Sequence, residues 1–148
     1  MVDRDRRLAK WRTEFPTIAS LEQRARRRIP YFAFDYLHDG TGDLANRPHN
    51  VAALRNIEIV PRFCEDMSGA NTAVSLFGRR YQAPLAIAPV GMDGAIWPGA
   101  TRLLAETARE IGIPYMTGTM ATRCMEEVSQ TAPESFWIQL YSLPAQDH

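Results

Sequence analysis

Two polar side chains suited to ligand binding lie two residues apart near the end of the sequence. Gln139 and Tyr141 belong to the apolar segment FWIQLYS, which predicts a buried strand. Side chains two residues apart on a strand point to the same side, and an amide both donates and accepts hydrogen bonds. The pair therefore fits either a ligand site or two ordinary polar residues satisfied by their neighbours.

The segments that must position this pair alternate between strand and helix patterns. Strands are predicted in APLAIAP (83–89), IPYMTGT (113–119) and FWIQLYS (136–142), and helices in GATRLLAETAREIG (99–112) and RCMEEVSQTA (123–132). The order β-α-β-α-β predicts parallel strands joined by right-handed helical crossovers. An open doubly wound sheet and a (β/α)8 barrel both begin in this way.

The residues that follow each strand indicate where chemistry would take place. PVGMDG (89–94) is not GxGxxG and leads into no predicted helix until about Gly99, so a Rossmann dinucleotide site is unsupported. Residues 89–91, 117–119 and 139–141 end the three strands on one common face. In a barrel, that face carries the active site.

The first 82 residues predict helices, a loop and a hairpin. Helices are expected over 1–16, from an N-cap at Ser20 to Arg28, and from Pro30 to a left-handed stop at Gly40. DGTGDLANRPHN (39–50) predicts a loop, and AALRNIEIVPR (52–62) a short helix or strand ending at Pro61. VSLFGRRYQAP (74–84) predicts a hairpin with its turn at Gly78 and Arg79.

Composition limits the classes of function. The 148 residues contain 17 basic and 17 acidic side chains, so no overall field favours nucleic acid, and RARRR (24–28) is better explained as a solvated helix face. No apolar run reaches the length of a membrane span. Cys64 and Cys124 are isolated, which suits a reducing cytoplasm and predicts no metal site. We expect a cytoplasmic protein, with peripheral membrane association left open.

Several segments together resemble the FMN-dependent α-hydroxy-acid dehydrogenase/oxidase family, which includes glycolate oxidase, lactate dehydrogenase and oxidase, and mandelate dehydrogenase. The landmarks are IPYFAFDYLHDGTGD, Asn50, VPR at 60–62, PLAIAPVGMDG, GIPYMTGTMATRCMEEV and WIQLYS. The resemblance implies an α/β fold, the N-terminal portion of a (β/α)8 TIM barrel with about three parallel units at 83–148, preceded by a helical segment and hairpin at 1–82. It also implies FMN as cofactor and a small 2-hydroxy acid of the lactate, glycolate or mandelate type as substrate.

The resemblance assigns roles to individual positions. Tyr36 and Tyr141 match the two tyrosines that contact substrate, and Gln139 matches the glutamine that bonds the pyrimidine end of the flavin. The cofactor-binding set implied is Pro89, Val90, Gly91, Gly118 and Gln139. At Gly118 the family commonly has a hydroxyl residue that contacts the flavin, so glycine leaves only backbone there, with Thr119 as a shifted substitute.

The resemblance also implies functional residues that match nothing in this chain: the histidine base, a lysine near the reduced flavin, two substrate arginines and the FMN phosphate segment. His38, His49 and His148 match none of them. We therefore expect the N-terminal portion of a longer enzyme, inactive alone. The alternatives are a non-catalytic assembly module, one piece of a split enzyme, and another class of FMN barrel. The expected partners are a second copy of the chain, in a homo-oligomer, or a complementing second chain.

Overall fold

The computed structural model describes residues 2–40 and 42–142, with side chains from residue 5 onward. The chain divides into two compact units, Met1–Ile57 and Glu58–His148.

The first unit is helical. Its helices are α1 (Val2–Glu14), α2 (Ile18–Arg26), α3 (Tyr31–His38) and α4 (Asn46–Arg55). Trp11 and Phe15 form an edge-to-face pair on one side of α1, with ring centroids 6.3 Å apart.

Helix α2 begins three residues before its predicted start. Thr17 is the N-cap: its hydroxyl accepts from the Ser20 N–H at 3.2 Å, and the Ser20 hydroxyl accepts from the Thr17 N–H at 3.2 Å. The predicted N-cap at Ser20 is wrong because the capping box places Ser20 at the third helical position. The helix also ends at Arg26 rather than Arg28.

Helix α3 follows Pro30 as predicted, but it ends differently. Its C-cap is Asp39 in an extended conformation, and Gly42 rather than Gly40 adopts a positive φ of 69°. The left-handed stop at Gly40 is therefore wrong. Phe34 is buried on this helix, between the guanidinium of Arg26 at 4.6 Å and the stacked ring of His38 at 5.0 Å.

The predicted loop at 39–50 is shorter than expected because α4 begins within it, at Asn46. Pro48 is accommodated there because the first turn of a helix needs no N–H donor from it. Helix α4 ends at Arg55, whereas the short helix or strand predicted over 52–62 was expected to end at Pro61.

The second unit contains two small sheets and three helices. Its elements are β1 (Val74–Leu76), β2 (Arg79–Tyr81), α5 (Asp93–Ile96), α6 (Ala100–Ile111), β3 (Tyr115–Thr117), α7 (Met125–Thr131) and β4 (Phe136–Ile138). Helix α5 was not predicted, since no helix was expected before about Gly99.

The predicted hairpin is confirmed, with its turn one residue earlier than expected. Strands β1 and β2 pair in antiparallel fashion from Val74↔Tyr81 to Leu76↔Arg79, which leaves Phe77 and Gly78 at the turn. Both have positive φ, 49° and 76°, as a two-residue turn of the primed type requires. The hairpin contacts β4, because the Trp137 indole N–H donates to the Tyr81 hydroxyl at 3.2 Å.

The parallel pairing is confirmed for the last two predicted strands and is minimal for the first. Strands β3 and β4 pair in parallel through Tyr115↔Phe136, Met116↔Trp137 and Thr117↔Ile138. Segment 83–89 contributes one parallel bridge, Ile87↔Tyr115, rather than a strand covered on both faces. Leu85 is 67% exposed, so at least one face of that segment is uncovered by the described residues.

Helices α6 and α7 cover β3 and β4 and form the core of this unit. The buried cluster is Ala105, Ala108, Ile113, Tyr115, Val128 and Ala132. Its small residues let the helices approach the sheet closely, and burying Val128 or Ile113 contributes about 1.5–3 kcal/mol each. Gly112 ends α6 in the left-handed conformation, at φ 71°, as predicted. The described residues do not form a closed barrel.

Candidate functional site

Three of the predicted cofactor residues meet where the parallel strands end. A Cβ built on Gly118 would lie 3.1 Å from the carbonyl oxygen of Val90 and 3.5 Å from Oε1 of Gln139. The approach follows from the parallel register, which continues past β4 through a hydrogen bond from the Gln139 N–H to the Thr117 carbonyl at 3.0 Å. The backbone of Val90 and the side chain of Gln139 are thus both brought close to the Cβ position of one buried glycine.

The side-chain amide of Gln139 makes no hydrogen bond to any other residue in the described part of the chain. Its backbone, in contrast, is held on both sides, because its carbonyl accepts from the Thr119 hydroxyl at 2.6 Å. A fixed backbone with an unused, half-buried amide is an arrangement suited to binding a ligand that has both donors and acceptors.

The segment after Ile87 adds backbone donors to the same edge. Neither the Val90 N–H nor the Gly91 N–H donates to any acceptor in residues 2–40 and 42–142, and both residues are half-buried. Pro89, immediately before them, has no N–H and fixes φ, which limits the conformations of this strand end. Together these groups present two N–H donors and one side-chain amide.

The glycine at 118 has a structural consequence that the sequence did not suggest. At 3.1 Å from the Val90 oxygen, an added Cβ would be tighter than most real contacts, so a hydroxyl residue would need the two strand ends to separate slightly. Thr119, the expected substitute donor, uses its hydroxyl to hold Gln139. Glycine therefore permits a closer approach of the two strand ends.

The two predicted substrate tyrosines belong to different units of the chain. Tyr36 lies on α3 in the first unit and is 50% exposed. Tyr141 follows β4, is 55% exposed, and has no described hydrogen bond or ring contact. Their roles toward a substrate stay predictions.

Of the three histidines, His38 lies at a helix end as predicted, whereas His49 was predicted in a loop and lies in a helix. His38, at the end of α3, lies between Glu22 and Asp39, with its ring nitrogens 2.9 Å and 2.8 Å from their carboxylate oxygens. His49 lies on the exposed helix α4. His148 lies outside the described residues.

Sequence reasoning missed one buried group, Asp93, which is 2% exposed. Burial raises the pKa of this carboxyl, but hydrogen bonds from Thr101, Thr122 and the Gly94 N–H together outweigh burial and hold the pKa below its usual range. The signal in the sequence is a lone aspartate between an apolar strand and a glycine, in PVGMDG.

None of the helices that the structure describes has the length and apolar character needed to cross a membrane.

Comparison with known proteins places this arrangement in a family. The model of the FMN-dependent dehydrogenase family matches residues 25–148. The chain is 36% identical over 124 residues to an L-lactate oxidase of Lysinibacillus sphaericus (strain C3-41), covering 83% of this chain and 32% of that protein. It is 33% identical over 129 residues to a 4-hydroxymandelate oxidase of Amycolatopsis orientalis, covering 87% of this chain and 36% of that protein.

Solved structures agree with the sequence comparison. The crystal structure of a mandelate oxidase superimposes with a TM-score of 0.82 at 33% identity, over 88% of this chain and 38% of that one. An active mutant of (S)-mandelate dehydrogenase superimposes with a TM-score of 0.75 at 30% identity, over 81% of this chain and 34% of that one. The chain spans about a third of the length of the curated relatives it matches. With a family match over most of its residues, the chain belongs to the FMN-dependent dehydrogenase family of α-hydroxy-acid oxidoreductases.

Proposed function

We propose that this chain supplies the first three β/α units of an FMN-binding (β/α)8 barrel in an enzyme that oxidises a 2-hydroxy acid to a 2-oxo acid. On this proposal residues 83–148 begin the barrel and residues 1–82 precede it. The observation that carries the proposal is the meeting of Val90, Gly118 and Gln139 at the carboxyl ends of parallel segments. Ligands of parallel α/β folds bind at those ends.

The donor set at these strand ends fits a flavin. The pyrimidine edge of FMN has adjacent donors and acceptors, so it is matched by backbone N–H groups and a side-chain amide that can do both. Among the residues that the structure describes, the N–H groups of Val90 and Gly91 and the side-chain amide of Gln139 have no hydrogen-bond partner. With glycine at 118, no side chain of that residue stands between the Val90 backbone and the Gln139 amide.

In the proposed reaction FMN supplies the two-electron chemistry when it is bound. The residues of this chain would bind and orient. The N–H groups of Val90 and Gly91 and the amide of Gln139 would hold the flavin, and the family resemblance implies that the phenols of Tyr36 and Tyr141 would each contact substrate. A base of suitable pKa is required to take a proton from the hydroxy acid. No residue of the chain matches the family's base, so we do not expect turnover by these 148 residues alone.

The substrate class rests on the relatives. Proteins named for lactate, 4-hydroxymandelate and mandelate are 36%, 33% and 30% identical to this chain. All three substrates are 2-hydroxy acids, and we propose a member of this class.

Flavin titration of a matched pair of variants tests the proposal. Gln139→Leu removes up to two hydrogen bonds to the flavin edge, each worth about 0.5–1.5 kcal/mol, so the FMN Kd should rise by about 5- to 150-fold. Thermal stability should be unchanged, because the amide has no partner within the described residues. Gln130→Leu, the same change at an exposed position on α7, is the control and should bind like the wild type. Equal Kd values for the two variants would argue against the assigned edge.

The exposed apolar surface of the second unit favours a second candidate, a module that pairs with a complementing chain. Leu85 and Leu140 are 67% and 84% exposed, and in the described residues β4 pairs only with β3. An unpaired strand edge beside apolar side chains is a template for further strands. Light scattering after size-exclusion chromatography decides this: a stable, monodisperse monomer would count against the module.

A further inference from the structure

Asp93 is the one charged side chain among the buried polar residues of the described chain, and the proposed flavin contacts do not use it. Burial of a carboxylate is unfavourable unless its oxygens are hydrogen-bonded. Both oxygens of Asp93 are bonded. Oδ1 accepts from the N–H groups of Gly94 and Thr122, each at 3.0 Å, and Oδ2 accepts from the Thr101 hydroxyl at 2.5 Å.

These bonds join segments that are far apart in sequence. Thr101 lies in the first turn of α6, and Thr122 lies in the loop after β3, 29 residues from Asp93. The same two loops are joined twice more: the Gly94 N–H donates to the Thr122 hydroxyl at 2.8 Å, and the Met92 N–H donates to the Met120 carbonyl at 2.8 Å.

The backbone at this junction is tightly constrained. Met92 adopts a left-handed conformation with φ 51°, which is uncommon for a residue with a side chain. A Cβ on Gly94 would lie 2.7 Å from the Thr122 hydroxyl, so only glycine fits this approach. Such backbone conformations persist where surrounding contacts hold them.

Both loops lead directly out of the candidate flavin edge. Gly91 immediately precedes Met92, and Gly118 lies two residues before Met120. We infer that Asp93 is a positioning residue, which fixes the distance between the Val90–Gly91 backbone and Gly118 and thereby the shape of the FMN-binding edge. That the ligand is FMN rests on the proposed function. That Asp93 holds the two loops together rests only on the hydrogen bonds described above.

Variants at Asp93 separate hydrogen bonding from charge. Asp93→Ala removes all three bonds and should raise the FMN Kd by tenfold or more, because the edge loses its fixed spacing. Asp93→Asn should bind FMN nearly as the wild type does. Its carbonyl can accept from both N–H groups and its amino group can donate to the Thr101 hydroxyl.

The matched control is Val128→Ala, which shortens a core side chain that is 3% exposed without touching either loop. Two quantities are measured on the 148-residue chain: the FMN Kd by flavin fluorescence, and amide hydrogen exchange of Gly94 and Thr122 in the absence of FMN. Asp93→Ala should accelerate exchange at these two amides by tenfold or more relative to other amides, and Val128→Ala should not. Thr101→Val removes one bond with little change of shape and should give a smaller effect of the same sign, should Asp93→Ala not fold.

The outcomes are distinguishable. Exchange at Gly94 and Thr122 that is unchanged by the Asp93 and Thr101 variants would overturn the inference, as would Kd changes no larger than that of Val128→Ala. A wild-type chain that does not bind FMN would overturn the proposed function and the ligand of this inference, and the exchange rates would still decide whether Asp93 fixes the loops.

Discussion

Raising the pH should destabilise this chain through one buried phenol, and the size of the effect follows from the structure. Tyr115 is 3% exposed at the centre of the contact between β3 and the helices α6 and α7. Burial, reinforced by the negative charge of Asp93 and partly opposed by the Thr117 hydroxyl, raises the pKa of Tyr115 from 10.0 to about 12.

The sign follows from linkage between protonation and folding. A folded-state pKa above the unfolded value means that the unfolded chain loses its proton first, so stability is complete below about pH 10 and declines as the pH rises through about 12. Two pKa units correspond to about 3 kcal/mol in the limit, and roughly half of that is lost by about pH 11. A loss of this size is a large part of the stability of a small domain.

Urea unfolding between about pH 8 and 11 measures this effect. The wild-type midpoint should fall by about 1 M more than that of Tyr115→Phe, given a typical slope of about 1–2 kcal/mol per M. Tyr141→Phe, which removes a half-exposed phenol from the unfolded chain as well, is the matched control. If Tyr115→Phe loses stability with pH as steeply as the wild type, Tyr115 is not buried under the two helices, and the described sheet and helix layer does not form in this chain.

Three further predictions concern single sites. Thr17→Ala should lower the free energy of unfolding by about 0.5–2 kcal/mol, because the Ser20 N–H loses its acceptor. Thermal unfolding followed by circular dichroism measures this, and an unchanged transition would contradict the capping box. Gly112→Ala should cost about 1–2 kcal/mol in urea unfolding, because φ is 71° and the new Cβ would lie 2.6 Å from Cγ of Gln82; a stabilised variant would refute this. Because the pKa of Asp93 is lowered in the folded state, its charge stabilises the fold at pH values above the unfolded pKa of about 3.9, and this contribution is lost as the pH falls through the folded pKa. The free energy of unfolding of Asp93→Asn should therefore fall less steeply with decreasing pH than that of the wild type.

The helices of the second unit followed from sequence more closely than its strands. Helix α6 is predicted by apolar residues at helical spacing and by Gly112, and both signals are local. A strand depends on neighbours that lie elsewhere in the chain. The apolar pattern at 83–89 predicts a strand covered on both faces. In the described residues Ile87 makes one bridge, because one neighbouring strand is present, and Leu85 is exposed, because no element covers its face.

Local signals also compete with one another. Ser20 and Thr17 can both cap a helix, and Thr17 does so because Ser20 then returns a second hydrogen bond from the third helical position. The sequence does not show which of the two residues caps the helix, because the second hydrogen bond exists only in the folded turn. The same holds for Gly40 and Gly42, of which only the second adopts the left-handed conformation.

The sequence predicted the residues proposed to contact the flavin, but not the residues that support them. The strand pattern singled out Gln139, the resemblance gave it a flavin role, and the structure brings its amide near Gly118 and Val90; the role itself stays a prediction. Asp93 was not identified, because its function depends on Thr101 and Thr122, whose proximity appears only once α6 and the loop after β3 are folded. Buried hydrogen-bond networks of this kind have no fixed spacing in sequence.

The central claim is that FMN binds where Val90, Gly91, Gly118 and Gln139 meet. It is tested most directly by following the backbone amide signals of the first three and the side-chain amide of Gln139 by NMR while FMN is added to the chain. The account predicts saturable shifts at these four groups, stronger than at any amide of α1 or α4. Saturable shifts confined to other residues, or no saturable binding, would contradict it.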